Sequence, residues 1–250
     1  MRKTALFILL AWGWARAAHA APTTWRQLAP GLGYAKISIS AINGGGALHA
    51  FRIDPARYRI DTLLARDAGM TTATARALAE RTRAWIVVNG GFFGEDLKPL
   101  GLRIQGGRER NPMRAVSWWS IFYIHNGRPA IATRGDFPAG QEIQMAVQSG
   151  PRLVVSGAIP ALKPGPSLRS AIGITHEGEI VLAVTEGALV ETRTLAELFR
   201  KSTAAGGLNC PNAINLDGGG STQLYAKVRD FRLDLPGITP VTDVVAVFPR

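Results

Sequence analysis

Apolar and polar positions along this chain follow two periods. Residues 32–42 set Tyr34, Ile37 and Ile39 among small polar residues and predict an early strand. After the turn Gly44-Gly45-Gly46, Ala47 to Ile53 predicts a second strand and Tyr58 to Leu64 a third. From Thr71 to Arg83 the period lengthens. Ala75, Leu78, Ala79 and Thr82 recur at helical spacing among good helix formers, which predicts a helix. The short apolar run Trp85 to Val88 predicts a buried strand that stops at Asn89-Gly90-Gly91-Phe92-Phe93.

Downstream the chain is strand-like and rich in turns. Ser117 to Ile124, with Asn126-Gly127 behind it, reads as half a hairpin. Glu142 to Val147, Leu153 to Val155, Ala171 to Thr175 and Ile180 to Thr185 predict further strands, the last two joined at Glu177-Gly178. Thr194 with Glu197 three residues on is a capping-box pattern. It predicts a helix through about Ser202, closed near Gly206-Gly207. Ala213 to Leu216 runs into Asp217-Gly218-Gly219-Gly220-Ser221, Thr222 to Val228 leaves that turn, and Val241 to Phe248 makes a final core strand. Many strands with two clear helices predict a single α+β domain of mixed β-sheets, its Gly-rich strand-end turns forming the site.

Composition narrows the picture. The 250 residues are 46% apolar and show no internal repeat or long linker, which suits one domain. One cysteine excludes a disulfide scaffold and a Cys-based zinc site, and Cys210 reads as a buried small hydrophobe. A mean hydropathy of +0.07 excludes a polytopic membrane protein. Residues 1–20 carry Arg2 and Lys3, an apolar run from Thr4 to Trp14, and Ala18-His19-Ala20. That is the build of a cleavable secretory signal, too short to span a bilayer comfortably. It predicts a periplasmic or secreted domain over 21–250 with no stable membrane span. Cleavage removes Arg2, Lys3 and Arg16 and takes the net charge from +11 to +8. The charge raises nucleic acid as a partner. The arginines are spread, however, and the densest stretch (Arg103, Arg108, Arg110, Arg114) has no interleaved aromatics, which argues against it.

Four segments place small or polar residues where a strand ends: Val88 to Phe93, Gln148 to Arg152, Leu168 to Ala171, and Asn215 to Thr222. Three glycines after Asp217 cost backbone entropy. They fit a ligand held by peptide N–H groups, and equally a hairpin with a solvated aspartate. Asn89-Gly90 is also a common turn pair. Phe92 and Phe93 read as core, and Arg152 and Arg169 each fit a surface position. His49, His125 and His176 are scattered and read as structural. The standard motifs are missing. Ile180 stands where a zinc-protease histidine belongs after His176-Glu177. Ser221 lacks the second glycine of a nucleophile elbow, and there is no P-loop or dinucleotide fingerprint.

Taken in order, Val88-Asn89-Gly90-Gly91-Phe92-Phe93, Gln148-Ser149-Gly150-Pro151-Arg152, Arg169-Ser170-Ala171-Ile172-Gly173 and Asn215-Leu216-Asp217-Gly218-Gly219-Gly220-Ser221-Thr222 resemble the phosphodiester glycosidase family. The likeness is to its exported bacterial-type members and runs from about Ile37 to the C-terminus. The family takes its name from the uncovering enzyme that removes N-acetylglucosamine from a sugar–phosphate diester. One departure is Thr185-Glu186-Gly187-Ala188, where the family often has aspartate, glycine and arginine.

The resemblance implies a hydrolase that cleaves a sugar-1-phosphate diester, with an N-acetylglucosamine-like sugar, at the anomeric carbon. The products are free sugar and a phosphomonoester, and the partner is a phosphorylated or anionic glycan. An oxocarbenium-like transition state needs a carboxylate, for which Asp217 is first choice and Glu186 second. Arg169 suits a bidentate phosphate clamp and Gly218, Gly219 and Gly220 amide donors. Asn89, Gly90, Ser149, Ser221 and Thr222 complete the expected binding set. No metal or other cofactor is assigned. Oxygen ligands such as Asp217 and Asn89 would suit calcium or magnesium, but there is no dedicated carboxylate cluster. The alternative is a non-catalytic binder of anionic envelope glycans through the same cleft.

Overall fold

A computed structural model describes residues 21–138, 140 and 142–250. The signal segment predicted at 1–20 lies outside these residues. The largest sheet orders its seven strands as Arg26–Ala29, Leu32–Ile39, Gly46–Ile53, Ile180–Glu186, Ser170–Ile174, Asn212–Asn215 and Arg152–Val154. A five-stranded sheet runs Phe231–Leu235, Leu224–Val228, Ile86–Asn89, Asp243–Pro249, Tyr58–Leu64. A second runs Arg108–Asn111, Arg103–Gln105, Ile143–Ser149, Ser120–His125, Arg128–Ala132. Pro166–Ser167 and Val190–Glu191 form a short ribbon. The α+β class is seen, and the expectation of mixed sheets narrows to pairings that are antiparallel throughout the described strands.

Side-chain alternation explains why strands that read as unbroken apolar runs are buried along both faces. In Ile180–Glu186, Ile180, Leu182 and Val184 enter a central core that all three large sheets share. Val181 and Ala183 point the other way, under helix α2 (Thr192–Arg200), where Leu195, Ala196 and Phe199 cover them. The terminal strand repeats the device. Val245 and Val247 face the central core, while Val244, Ala246 and Phe248 lie under helix α1 (Ala75–Thr82) with Leu78 and Ala79. Cys210 is buried beside α2 and burial pushes its thiol pKa up. No helix among the described residues is long and apolar enough to cross a membrane.

The helix starts differ from the sequence reading. Helix α1 begins at Ala75, where the Thr74 hydroxyl accepts the Ala77 N–H at 3.1 Å, because Ala73 is held extended by a bridge to Val241. Helix α2 begins at Thr192, ahead of the predicted Thr194 cap. Glu191 is its N-cap residue and makes no side-chain cap bond. The ribbon strand Val190–Glu191 feeds the helix directly, so its entry is set by tertiary pairing. It ends at Arg200, and a separate turn at Thr203–Ala205 closes on Gly206. The basic stretch Arg103 to Arg114 starts as a hairpin about Gly106-Gly107, whose positive φ angles of 53° and 80° suit a tight primed turn.

Candidate active site

Strand ends from the three sheets meet at one end of the central core. The ends of Ile86–Asn89, Asn212–Asn215 and Ile143–Ser149 lie there with the start of Ser170–Ile174. Asn89 joins them. Its Oδ1 accepts the Ser170 hydroxyl at 2.6 Å and the Gln223 N–H at 3.2 Å, and its Nδ2 donates to the Asp217 carbonyl at 2.8 Å. The Asp217 N–H donates to the Gly90 carbonyl at 3.1 Å, so the first and last motifs are bonded twice. The third motif enters through Ser170. The second enters through Asn215, whose N–H donates to Pro151 at 2.9 Å and whose Nδ2 donates to Gly150 at 3.3 Å.

Below this junction lies a fully buried ion pair that sequence reading missed. Arg103 Nε meets Asp243 Oδ2 at 2.6 Å, and Nη2 meets Oδ1 at 3.2 Å. Arg103 also donates to the Phe92 carbonyl at 3.2 Å and the Gln148 carbonyl at 3.0 Å. It therefore ties the Asn89 turn to the Ser149 strand. This is why Gly90 and Gly91 are glycines: a β-carbon on Gly90 would collide with the Asp243 carboxylate, and one on Gly91 would lie 2.5 Å from Arg103 Nη2. Arg103, which the sequence groups with the basic stretch up to Arg114, is thus fully buried together with its carboxylate partner.

The triple-glycine turn has internal reasons too. Gly219 adopts φ +58°, and a β-carbon on Gly218 would lie 2.8 Å from the Leu168 carbonyl. Two of its amides are already paired, Gly218 N–H with Asp217 Oδ1 at 2.9 Å and Gly219 N–H with the Leu168 carbonyl at 2.9 Å. Burial raises the Asp217 pKa above 3.8, and nearby Asp243 adds to the rise. Bonds from Ser221 and Gly218 and the charge of Arg103 oppose it.

Polar atoms without partners mark the surroundings. Ser149 Oγ, Asn215 Oδ1, Thr222 Oγ1 and Arg152 Nε are buried and make no hydrogen bond to the protein. Ser149, Asn215 and Thr222 belong to residues at most 5% exposed. All four lie in the second and fourth motifs, with Asn215 and Thr222 on the segment that carries Asp217 and Arg152 within the field of Asp136. Buried polar groups are normally paired, and these four, like those of Thr23, Trp25, Gln105 and Trp119, have almost no exposed surface, so a ligand reaches them only where the turns move. Asn215 was not among the predicted site residues. Its signal was present as a polar residue inside an otherwise apolar strand.

The other predicted residues lie at the margin. Arg169 Nε donates to the Val190 carbonyl at 3.1 Å, and Nη2 donates to Thr192 Oγ1 at 2.9 Å and to the Gly165 carbonyl. Its guanidinium fastens the ribbon to α2, and burial lowers its pKa. Glu186 ends its strand half exposed, held by His49 Nε2 at 2.8 Å and Lys36 at 3.5 Å. The His49 bond holds the Glu186 carboxyl below its usual range. His49 is buried, its other nitrogen 2.8 Å from the Tyr34 hydroxyl, and burial lowers its pKa. Ser221 is buried in the glycine turn.

Among the described residues no three His, Cys, Asp or Glu are grouped to hold a metal. A cavity of about 740 Å³ lined by Tyr58, Asp61 and Arg250 is at the far end of the Tyr58–Leu64 strand and holds none of the candidate residues. The site is marked by its polar groups, not by that volume.

The phosphodiester glycosidase family model matches residues 82–248. YigE of Escherichia coli (strain K12), an uncharacterized protein, is 27% identical over 157 residues. That match covers 56% of this chain and 62% of YigE, less than two thirds of the relative's length. Among solved structures, the catalytic domain of zebrafish N-acetylglucosamine-1-phosphodiester alpha-N-acetylglucosaminidase, auto-inhibited by its pro-peptide, is similar with TM-score 0.69 at 16% identity. That likeness covers 92% of this chain and 87% of the zebrafish chain. A hypothetical protein from Synechocystis is similar with TM-score 0.64 at 16% identity, over 93% of this chain and 65% of its own. At such identities the structures share the fold. The family match spans more than half of the sequence and includes the Asn89, Ser149, Ser170 and Asp217 segments, and the chain belongs to the phosphodiester glycosidase family.

Proposed function

We propose that this protein is an exported hydrolase that cleaves a sugar-1-phosphate diester at the anomeric carbon. The products are a free sugar and a phosphomonoester. The observation that carries the reading is the meeting of all four motifs around a half-buried carboxylate, Asp217, whose pKa is raised. Family membership and the zebrafish likeness support the reaction class.

Asp217 is the carboxylate that answers the developing oxocarbenium ion, as nucleophile or as base for water. Its raised pKa makes it the stronger base. Asn89 and Gly90 fix its backbone and Gly218 one of its oxygens. The leaving phosphomonoester is already anionic and needs donors and positive charge rather than a proton. Arg152 Nε and the hydroxyls of Ser149 and Thr222 supply such contacts. Arg169 adds positive charge with Nη1, its other nitrogens being engaged by the ribbon. Glu186 at the rim is the second carboxylate. Its His49 and Lys36 partners keep it ionised, which suits attraction of the oxocarbenium ion.

The test is purified protein with a panel of sugar-1-phosphodiesters, reading released reducing sugar for wild type, Asp217→Asn and Glu186→Gln. Wild type releases sugar and Asp217→Asn does not, with an unchanged fold. Full activity in Asp217→Asn removes the assignment, and binding without release by wild type points to a glycan binder.

A further inference from the structure

Trp118 differs from the other aromatic residues at this end of the molecule. It is 55% exposed, whereas the adjacent Trp119 is 7% exposed. Two rings brace its indole at steep angles, Trp119 at 5.7 Å and 87° and Phe92 at 6.2 Å and 61°. Phe92 and Trp119 brace each other at 5.1 Å. Such contacts fix the orientation of a ring, here with more than half of its surface still exposed. The backbone is fixed as well, since the Trp118 carbonyl would lie 2.9 Å from a β-carbon on Gly150. Phe92 belongs to the Asn89 turn and Gly150 follows Ser149. Trp118 therefore rests on two of the turns that carry the candidate site, with more than half of its surface in solvent.

From this geometry we infer that Trp118 is the platform on which the substrate's sugar ring stacks. A pyranose has an apolar face of C–H bonds and a rim of hydroxyls. The C–H face meets the electron-rich face of the indole, and both lose contact with water. The hydroxyl rim is left to the polar groups of the two turns on which Trp118 rests. A rigid, braced ring loses little conformational freedom on binding, which suits a recognition surface. Sites of this kind combine aromatic walls with a few placed polar groups. The inference rests on the proposed sugar-1-phosphodiester reaction and assigns Trp118 to the sugar end, not to the group beyond the phosphate.

The experiment compares wild type, Trp118→Ala and Trp118→Phe. The probes are the methyl phosphodiester of N-acetylglucosamine, which has no other ring, and free N-acetylglucosamine. With the diester, Trp118→Ala raises KM about tenfold, leaves kcat within about threefold, and keeps the wild-type Tm, while Trp118→Phe recovers most of the loss. With free sugar, titration calorimetry reads a similar weakening without any turnover. If wild type cleaves no diester but binds sugar in a Trp118-dependent way, the reaction fails and the platform stands. If wild type cleaves the diester and Trp118→Ala keeps its KM, or if wild type binds no sugar and cleaves no diester, the platform is overturned.

Discussion

Two buried polar clusters stand side by side at the strand ends and obey opposite rules. Around Arg103 and Asp243 the donors and acceptors meet each other: the carboxylate takes Arg103, the Gly91 N–H at 3.3 Å and the Thr242 hydroxyl at 3.1 Å, and the guanidinium takes backbone carbonyls from two segments. Around Asp217 the carboxylate is raised in pKa by burial, and four polar atoms of the second and fourth motifs lack partners. A satisfied network fixes geometry, and an unsatisfied one costs stability until a ligand fills it. The first cluster ties the Asn89 turn to the Ser149 strand, beside the Asp217 turn that Asn89 holds.

The sharpest way to break the comparison is at the satisfied cluster. Asp243→Ala leaves Arg103 buried and unpaired, and chemical denaturation should read a loss of about 3–5 kcal/mol. The double change Arg103→Met with Asp243→Leu should cost less than the two single changes summed, because neither partner is left charged and alone.

At the open cluster the same kind of change spares the fold and removes chemistry. Asp217→Asn should lower kcat by about 10²–10⁴-fold in a reducing-sugar assay. Its stability at neutral pH should equal or exceed that of wild type. The sign follows from the raised pKa. The Asp217 contribution to stability is present below its unfolded value near 3.8 and is lost as pH rises through the folded value, so the amide avoids that loss.

A matched pair of serines sharpens the contrast further. Ser170→Ala removes the donor to Asn89 Oδ1 and should cost about 1–3 kcal/mol in thermal or urea unfolding. Ser149→Ala removes a hydroxyl with no partner and should change stability by only about 0.5 kcal/mol, while turnover falls roughly tenfold. Equal stability losses in the two variants would erase the distinction between the clusters.

The smallest effect is in the pH profile. With Asp217 acting as carboxylate, the acidic limb of kcat/KM should lie above 3.8, since burial keeps its proton on to higher pH. A limb that persists in Asp217→Asn and is lost in Glu186→Gln would place the ionisation on Glu186, whose His49 partner shifts it the other way.

The sequence was informative where a residue type is out of place locally. Asn89, Ser149 and Asp217 are polar residues ending apolar strands, and that anomaly is visible without a structure. Arg103 offers no such sign. Its partner is 140 residues away, and its neighbours Arg108 and Arg110 lie on the partly exposed outer strand of the same hairpin. Trp118 is equally silent, because a tryptophan in an apolar stretch reads as core until its exposure is known. Arg169 shows the reverse. Its type suits a phosphate, yet two of its nitrogens are spent on the ribbon and α2, a use that depends on a strand pairing of two residues a side.

By itself the sequence determined the longer core strands and the presence of both helices, since side-chain period follows from local backbone geometry. It did not determine the edge strands Arg26–Ala29, Arg108–Asn111 and Phe231–Leu235, which are short and mix in charged residues. It also determined the order of the four polar turns and the family likeness they carry. Only the tertiary structure decided which buried polar atoms find partners. Hydrogen bonds at these turns join residues as far apart as Asn89 and Asp217, and the approach of separate strand ends sets whether a donor meets an acceptor or is left for a ligand.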